Sequence, residues 1–274
     1  MEQAVKRLIA TLFCFGTLLA GSVHAESKSL LLGINEGLAE QAGFLEMQDK
    51  YKGLADYLGQ VLKEPVRIES SQNLKSSASN LEKARYDLMF CRPSNVAASA
   101  MRDEKYSLVA MAKGQFTAVF IVNGQSPLKK PEDIHGKRIA MPAQTALMTK
   151  VGLAMMRDMK LDPARENIKY ERYMDALAFM VDKKFSDVAV VAPIVAKDWQ
   201  KKGGRVLFQS RVLPFWSIIA SPNMSTEQIA KLRAALMNME NTDEGKKVLA
   251  RIGVKGFVEG KQQAYFDMMK WIGE

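Results

Sequence analysis

The chain holds two histidines and two cysteines, and one of each, His24 and Cys14, lies in its first 25 residues. His135 and Cys91 are therefore what the rest of the chain offers for nucleophilic, acid–base or metal chemistry. A Ser-His-Asp triad, a Cys-His pair or a structural zinc would have to be built around His135. That residue sits in Asp133-Ile134-His135-Gly136, a turn before a strand, and reads as surface. Cys91 ends an apolar run and reads as a small core residue, although Arg92 beside it would lower its pKa if the thiol were exposed. No carboxylate pair stands in a recognisable motif. Hence no catalytic residue, metal or cofactor is expected, and a single free cysteine excludes an intramolecular disulfide.

What the chain offers instead is a set of polar loops, each following an apolar run. Three are Asn35-Glu36-Gly37, Ser70-Ser71-Gln72-Asn73 and Arg92-Pro93-Ser94-Asn95. Arg92 is the sharpest candidate, because its fixed fork of donors holds a carboxylate or phosphate through two parallel bonds; an exposed arginine at a strand end is an equal alternative. Ser94 fits either a helix cap or a ligand donor. The fourth loop, Pro142-Ala143-Gln144-Thr145, joins a buried strand to a helical run over 146–156. Leu147, Met148, Val151, Ala154 and Met155 keep one helical face there. Such a unit points the free N–H groups of the helix's first turn beyond the strand's carboxyl end, where they suit an anion or a carbonyl. The candidate ligand-binding set is Asn35, Ser71, Gln72, Arg92, Ser94, Gln144, Thr145 and Tyr173.

These loops need a scaffold, and the apolar pattern supplies one. Runs at 30–34, 66–69, 86–91, 108–112 and 117–122 alternate with helical spacing at 51–61 and 74–81. After the 136–156 unit come a strand at 168–170, a helix with Tyr173, Leu177, Met180 and Val181 on one face, and a strand at 187–191. Pro193 opens the next helix, where its missing N–H is no loss. Strand and helix alternating on this scale imply α/β architecture, with mostly parallel sheets flanked by helices and ligands at the strands' carboxyl ends. The runs at 206–208 and 216–220 read as a return to the first half, followed by a capping box at Ser225-Thr226-Glu227-Gln228 and two shorter helices. The expected organisation is two lobes, residues 26–113 with 210–274 and residues 114–209, crossed by two hinge strands.

The N-terminus carries Lys6 and Arg7, an apolar run over 8–20, and Val23-His24-Ala25 before Glu26. That is the order of a signal peptide cleaved after Ala25, which predicts an exported, periplasmic protein. Ser22 stands where a lipid-attachment cysteine would be needed. The formal net charge of +9 is spread through pairs such as Lys183-Lys184 and Lys201-Lys202, which favours solvated surface or attraction to acidic solutes or an anionic membrane face over nucleic-acid binding.

The passage Phe120-Ile121-Val122, then 128–140 with Asp133-Ile134-His135-Gly136-Lys137-Arg138-Ile139-Ala140, resembles the "I-V, then L-x-D-L-x-G-K-R-V-A" segment of periplasmic solute-binding proteins, in the branch serving phosphate, phosphite and phosphonate ABC transporters. Leu54-Ala55-Asp56-Tyr57-Leu58, Arg85-Tyr86-Asp87-Leu88, Asp175-Ala176 and Asp187-Val188-Ala189 resemble further landmarks of that branch. The resemblance covers most of residues 30–240 and implies a type II two-lobed fold, a small-molecule ligand and a membrane permease as partner. There are departures: Gln144, Ala146 and Leu147 replace part of a Pro-Ala-Ser-Thr-Ser-Gly loop, Met174 stands for a histidine, and Ala192-Pro193 for an acidic pair.

The expected function is capture of a small polar, anionic solute in the inter-lobe cleft by a monomer that delivers it to an ABC permease. A periplasmic sensor or accessory subunit of the same fold is one alternative. An exported enzyme on this scaffold is another, since fold does not fix function.

Overall fold

The computed structural model describes residues 29–36, 43–70 and 74–274. The signal peptide expected over 1–25, Ser71 and Gln72 fall outside these. The first sheet opens with β1 (Leu30–Asn35), α1 (Phe44–Leu62), β2 (Val66–Ser70), α2 (Leu74–Glu82), β3 (Leu88–Cys91), α3 (Ser94–Asp103) and β4 (Ser107–Ala112). The chain then builds the second sheet from β5 (Val119–Val122), β6 (Arg138–Pro142), α4 (Leu147–Asp158), β7 (Asn167–Glu171), α5 (Met174–Asp182), β8 (Val188–Val191), α6 (Pro193–Lys201) and β9 (Arg205–Gln209). It returns through β10 (Ser217–Ala220), α7 (Thr226–Asn238), α8 (Asp243–Ile252), β11 (Phe257–Val258) and α9 (Gln262–Ile272).

The sheet orders are β11-β4-β10-β3-β1-β2 and β7-β6-β8-β5-β9. Each keeps a parallel core, β2-β1-β3 in one and β7-β6-β8 in the other. Antiparallel strands extend each core, β10 beside β3 and β5 beside β8. The antiparallel pairing follows from the path: a strand entering straight from the other lobe, without a crossover helix, arrives in the opposite sense. Strands β3, β5, β8 and β10 are buried at every residue, because helices cover both sheet faces, and apart from Ser217 they are apolar throughout.

Side-chain alternation separates the packing layers. Leu88 and Phe90 face a cluster with Leu54 and Leu58 of α1 and Leu232 of α7. Met89 and Cys91 face the opposite cluster, with Ala97 and Met101 of α3 and Met268 of α9, and this cluster continues into the second lobe through Val151 of α4, Phe120 and Val190. A third cluster packs Leu177 of α5 and Trp199 of α6 under Ile121 and Ala189.

Two extended segments join the sheets, 113–118 outward and 210–216 back. They are bonded to each other by Leu213 N–H to Phe116 O at 2.9 Å and Ser210 N–H to Ala118 O at 2.9 Å. An added Cβ on Gly114 would lie 2.4 Å from the Phe215 ring, so the close passage of the two segments requires glycine there. Two sequence expectations change. Tyr173 does not share the buried face of α5; it is the residue before the helix and is 59% exposed. Ser94 is the first residue of α3 rather than its cap, the preceding position being Pro93. The short strand β11 has no counterpart in the sequence reading, since two residues carry no periodicity.

Candidate functional site

The carboxyl ends of β1 and β3 meet in one side-chain cluster. Asn35 is 1% exposed and donates through Nδ2 to Ser77 Oγ of α2 at 2.8 Å, while its carbonyl accepts from Arg92 N–H at 2.9 Å. Glu36 follows, its side chain 3% exposed. Its Oε1 accepts from Arg92 Nη1 at 2.8 Å, from Lys50 Nζ at 2.9 Å and from the Tyr51 hydroxyl; its Oε2 is buried with no hydrogen-bond partner. The Arg92 guanidinium lies 3.9 Å over the Trp216 ring, which is stacked in turn on Phe215 at 4.3 Å. Such a cation–π contact is worth about 1–2 kcal/mol when partly desolvated. Carboxylate and indole together fix the orientation of Arg92.

The same end of the lobe grips the returning hinge segment. Ser94 Oγ donates to Pro214 O at 2.6 Å, with Phe215 O 3.2 Å away. Tyr265 of α9 donates its hydroxyl to Phe215 O at 2.9 Å, and burial raises the pKa of that phenol. The Ser94 proton is thus committed to the hinge. Cys91 is fully buried, and desolvation pushes its thiol well above the ordinary range, so it is an inert core residue rather than a nucleophile.

In the second lobe, Thr149 Oγ1 donates to Pro142 O at 2.9 Å and Ala146 N–H to Ala143 O at 2.9 Å, pinning the β6–α4 loop as a tight turn. Gln144 and Thr145 are exposed at its apex. The residues that precede α3, α4, α5 and α6 are Pro93, Ala146, Tyr173 and Ala192, and none supplies a side-chain cap. By contrast, α7 and α8 are capped by Ser225 and Thr242. Helix α9, begun by Lys261, also lacks a cap, so the pattern takes its meaning from place: the four ends all follow the sheets' strands at their carboxyl ends. Within these first turns Val96 N–H bonds to Pro93 O at 3.1 Å and Ala176 N–H to Tyr173 O at 3.2 Å, and Pro193 has no N–H; the remaining helix-start N–H groups are the ones an outside acceptor can bond.

A cavity of about 590 Å³ lies between the lobes, lined by Asn95, Ser99 and Arg102 of α3, Thr145, Lys150 of α4 and Met269 of α9. Arg92 and Asn35 are not part of its wall. It runs along α3 rather than over the strand ends. Burial lowers the Lys150 pKa, and that ammonium pairs with Glu274.

The structure thus gathers Asn35 and Arg92 in one cluster, sets Gln144 and Thr145 on the opposing lobe, and ties Ser94 to the hinge. Sequence reasoning missed Glu36, Lys50, Tyr51 and Trp216 as a unit. The available signal was Glu36 itself, since a carboxylate straight after an apolar strand demands donors. His135 is a surface residue, its ring nitrogen 2.7 Å from Glu166 Oε1. Among the described residues no group of three His, Cys, Asp or Glu side chains could hold a metal ion, and no described helix is long and apolar enough to cross a membrane.

Two sheets with these strand orders, flanked by helices and joined by two extended segments, define the class of two-lobed type II periplasmic binding proteins. Within it, the chain belongs to the family of periplasmic substrate-binding proteins of phosphonate ABC transporters, whose sequence model matches residues 44–265. No curated protein matches it in sequence. Among solved structures it is similar to XAC2383 from Xanthomonas citri bound to ATP, at 16% identity and TM-score 0.74, covering 90% of this chain and 98% of that one. It is similar to PhnD1 from Prochlorococcus marinus in complex with methylphosphonate, at 12% identity and TM-score 0.69, covering 89% and 97%. A binding protein component of an ABC phosphonate transporter from Pseudomonas aeruginosa matches at 15% identity and TM-score 0.63, covering 89% and 85%. At these identities the likeness carries the fold.

Proposed function

We propose that the chain captures a small solute bearing a phosphorus oxyanion between its lobes and delivers it to the permease of an ABC transporter in the periplasm. The lobes are residues 26–113 with 210–274 and residues 114–209, and the protein acts as a monomer without catalysis. One observation carries the reading: helix N-termini from both lobes, α3 on one side and α4, α5 and α6 on the other, begin at strand ends without side-chain caps. An oxyanion offers several lone pairs in a small volume, which is what converging N–H groups satisfy. Arg92 adds a fixed positive charge, and Gln144 and Thr145 add side-chain donors from the facing loop. The ligands named for two structural neighbours, ATP and methylphosphonate, share phosphorus-bound oxygens, which supports the same ligand class here.

Closure of two hinged lobes on such a solute would bury it from water and present a closed form to the permease. The test is a thermal-shift and calorimetric screen against methylphosphonate, phosphate, nucleotides, sulfonates and carboxylates. A bound ligand raises apparent stability by mass action, by about 2.7 kcal/mol at a hundred times its Kd. Saturable binding of a phosphorus oxyanion supports the reading; binding of carboxylates or amino acids alone overturns it.

A further inference from the structure

We infer that the pole of the second lobe remote from the cleft is a docking surface for an anionic lipid bilayer. Phe179 and Phe185 are 54% and 61% exposed, with ring centroids 6.3 Å apart. Lys183 Nζ lies 5.8 Å over the Phe179 ring. The turn that displays them is preformed: Lys184 takes a left-handed φ of 59°, Phe185 N–H bonds to Met180 O at 2.8 Å and Lys183 N–H to Phe179 O at 2.9 Å. Contact between the two rings is a usual companion of such a helix-ending turn. The motif does not explain why both rings, once in contact, still leave more than half their surface in water. Rigid aromatic rings beside lysines are the makeup of a bilayer-interface anchor, the ring entering the headgroup boundary while the ammonium stays with the phosphates.

Topology gathers more charge at the same pole. Helices α5 and α6 both follow parallel strands and pack on one sheet face, so their carboxyl ends point the same way. The exposed Lys201 and Lys202 at the end of α6 therefore join Lys183 and Lys184. Cations at helix carboxyl ends also complement the macrodipole, but that gain calls for no aromatic partner. Asp182 and Asp198 offset Lys183 and Lys201, leaving Lys184 and Lys202 to meet anionic headgroups. A single weak anchor gives only marginal binding, whereas apolar insertion and basic charge together give reversible adsorption. The surface lies away from the strand carboxyl ends, so adsorption would leave the cleft mouth open.

The test is co-sedimentation of the exported chain with vesicles of phosphatidylglycerol and phosphatidylcholine in equal parts, against phosphatidylcholine alone, at low and high salt. Adsorption is expected on the anionic vesicles only, weakened by salt and unchanged by methylphosphonate. Removing Lys184 and Lys202 together as K184S/K202S should lower partitioning about 25-fold, near fivefold for each charge. The surface variant F179S/F185S should lower it about tenfold with unchanged unfolding temperature. Equal partitioning of F179S/F185S and the parent chain would overturn the proposal, as would equal adsorption to both vesicle types. Loss of capture by a membrane protein in that variant, without vesicle adsorption by the parent, would overturn it in favour of a protein partner.

Discussion

Replacing Arg92 by glutamine separates what this side chain does for the fold from what it does for the ligand. The guanidinium makes one charge-assisted bond to Glu36 at 2.8 Å and stacks 3.9 Å over Trp216. Losing the stack should cost about 1–2 kcal/mol. The bond to Glu36 should cost about 1.5 kcal/mol, the low end for a charged pair, because Lys50 and Tyr51 still hold the same oxygen. The sum is about 3 kcal/mol, which in a domain of this size lowers Tm by about 6–12 °C. Glu36→Gln alone should also destabilise, since it removes the buried negative charge that pairs with Arg92 and Lys50. If the pair interacts as described, the double variant should be about 1.5 kcal/mol more stable than the two single losses predict. Chemical denaturation of the four proteins gives that coupling, and calorimetry with methylphosphonate gives the second readout. Arg92→Gln should weaken binding by roughly 30-fold, about 2 kcal/mol. A coupling within about 0.5 kcal/mol of zero would refute the cluster as the orienting device. Unchanged affinity in the folded variant would remove Arg92 from the site.

Other perturbations test the hinge and the electrostatics. Ser94→Ala leaves the Pro214 carbonyl without its 2.6 Å donor and should cost about 1–3 kcal/mol in denaturant titration; no loss would mean water replaces the hydroxyl. Gly114→Ala drives a Cβ against the Phe215 ring, so a loss of about 1–3 kcal/mol is expected together with weaker ligand binding through displaced Trp216. Asp187 accepts three bonds from Arg138, and those bonds hold its pKa below the ordinary value. Its stabilisation is therefore present above about pH 4 and lost as pH falls through the lower folded value. The Tm gap between the parent and Asp187→Asn should accordingly be widest near neutrality and close in acid, and a gap that widens in acid would contradict the assignment. Cys91 should resist alkylation in the native protein and react only on unfolding, with ligand making no difference; fast labelling of the folded chain would mean the strand end is open.

The central strands of both sheets were legible because strands buried on both faces must be apolar throughout, and 88–91, 119–122 and 188–191 carry no polar residue. The hinge was legible from path alone, since the chain had to leave one sheet and come back. The strand β11 was not, because two residues pairing with Met111 and Ala112 leave no pattern. The β6–α4 turn was legible because a strand, a tight turn and a helix follow one another in the sequence pattern, whatever the side chains. The Glu36 cluster was hidden for the opposite reason. Its members come from β1, α1, β3 and the returning hinge, and which of them touch depends on tertiary register that no local spacing encodes. Ser94 and Tyr173 show the same limit: one position along the chain decides whether a hydroxyl meets a ligand or the hinge, and whether a ring meets the core or solvent.

The central claim is that one solute is held by amides of both lobes at once. Amide hydrogen exchange with and without saturating methylphosphonate tests it most directly, read at residues 94–96 of α3 and 147–149 of α4. Slowed exchange is predicted at both helix starts together, with Arg92→Gln reducing it at a fixed ligand concentration. Protection confined to one lobe, or none at a concentration where calorimetry shows the protein saturated, would contradict it.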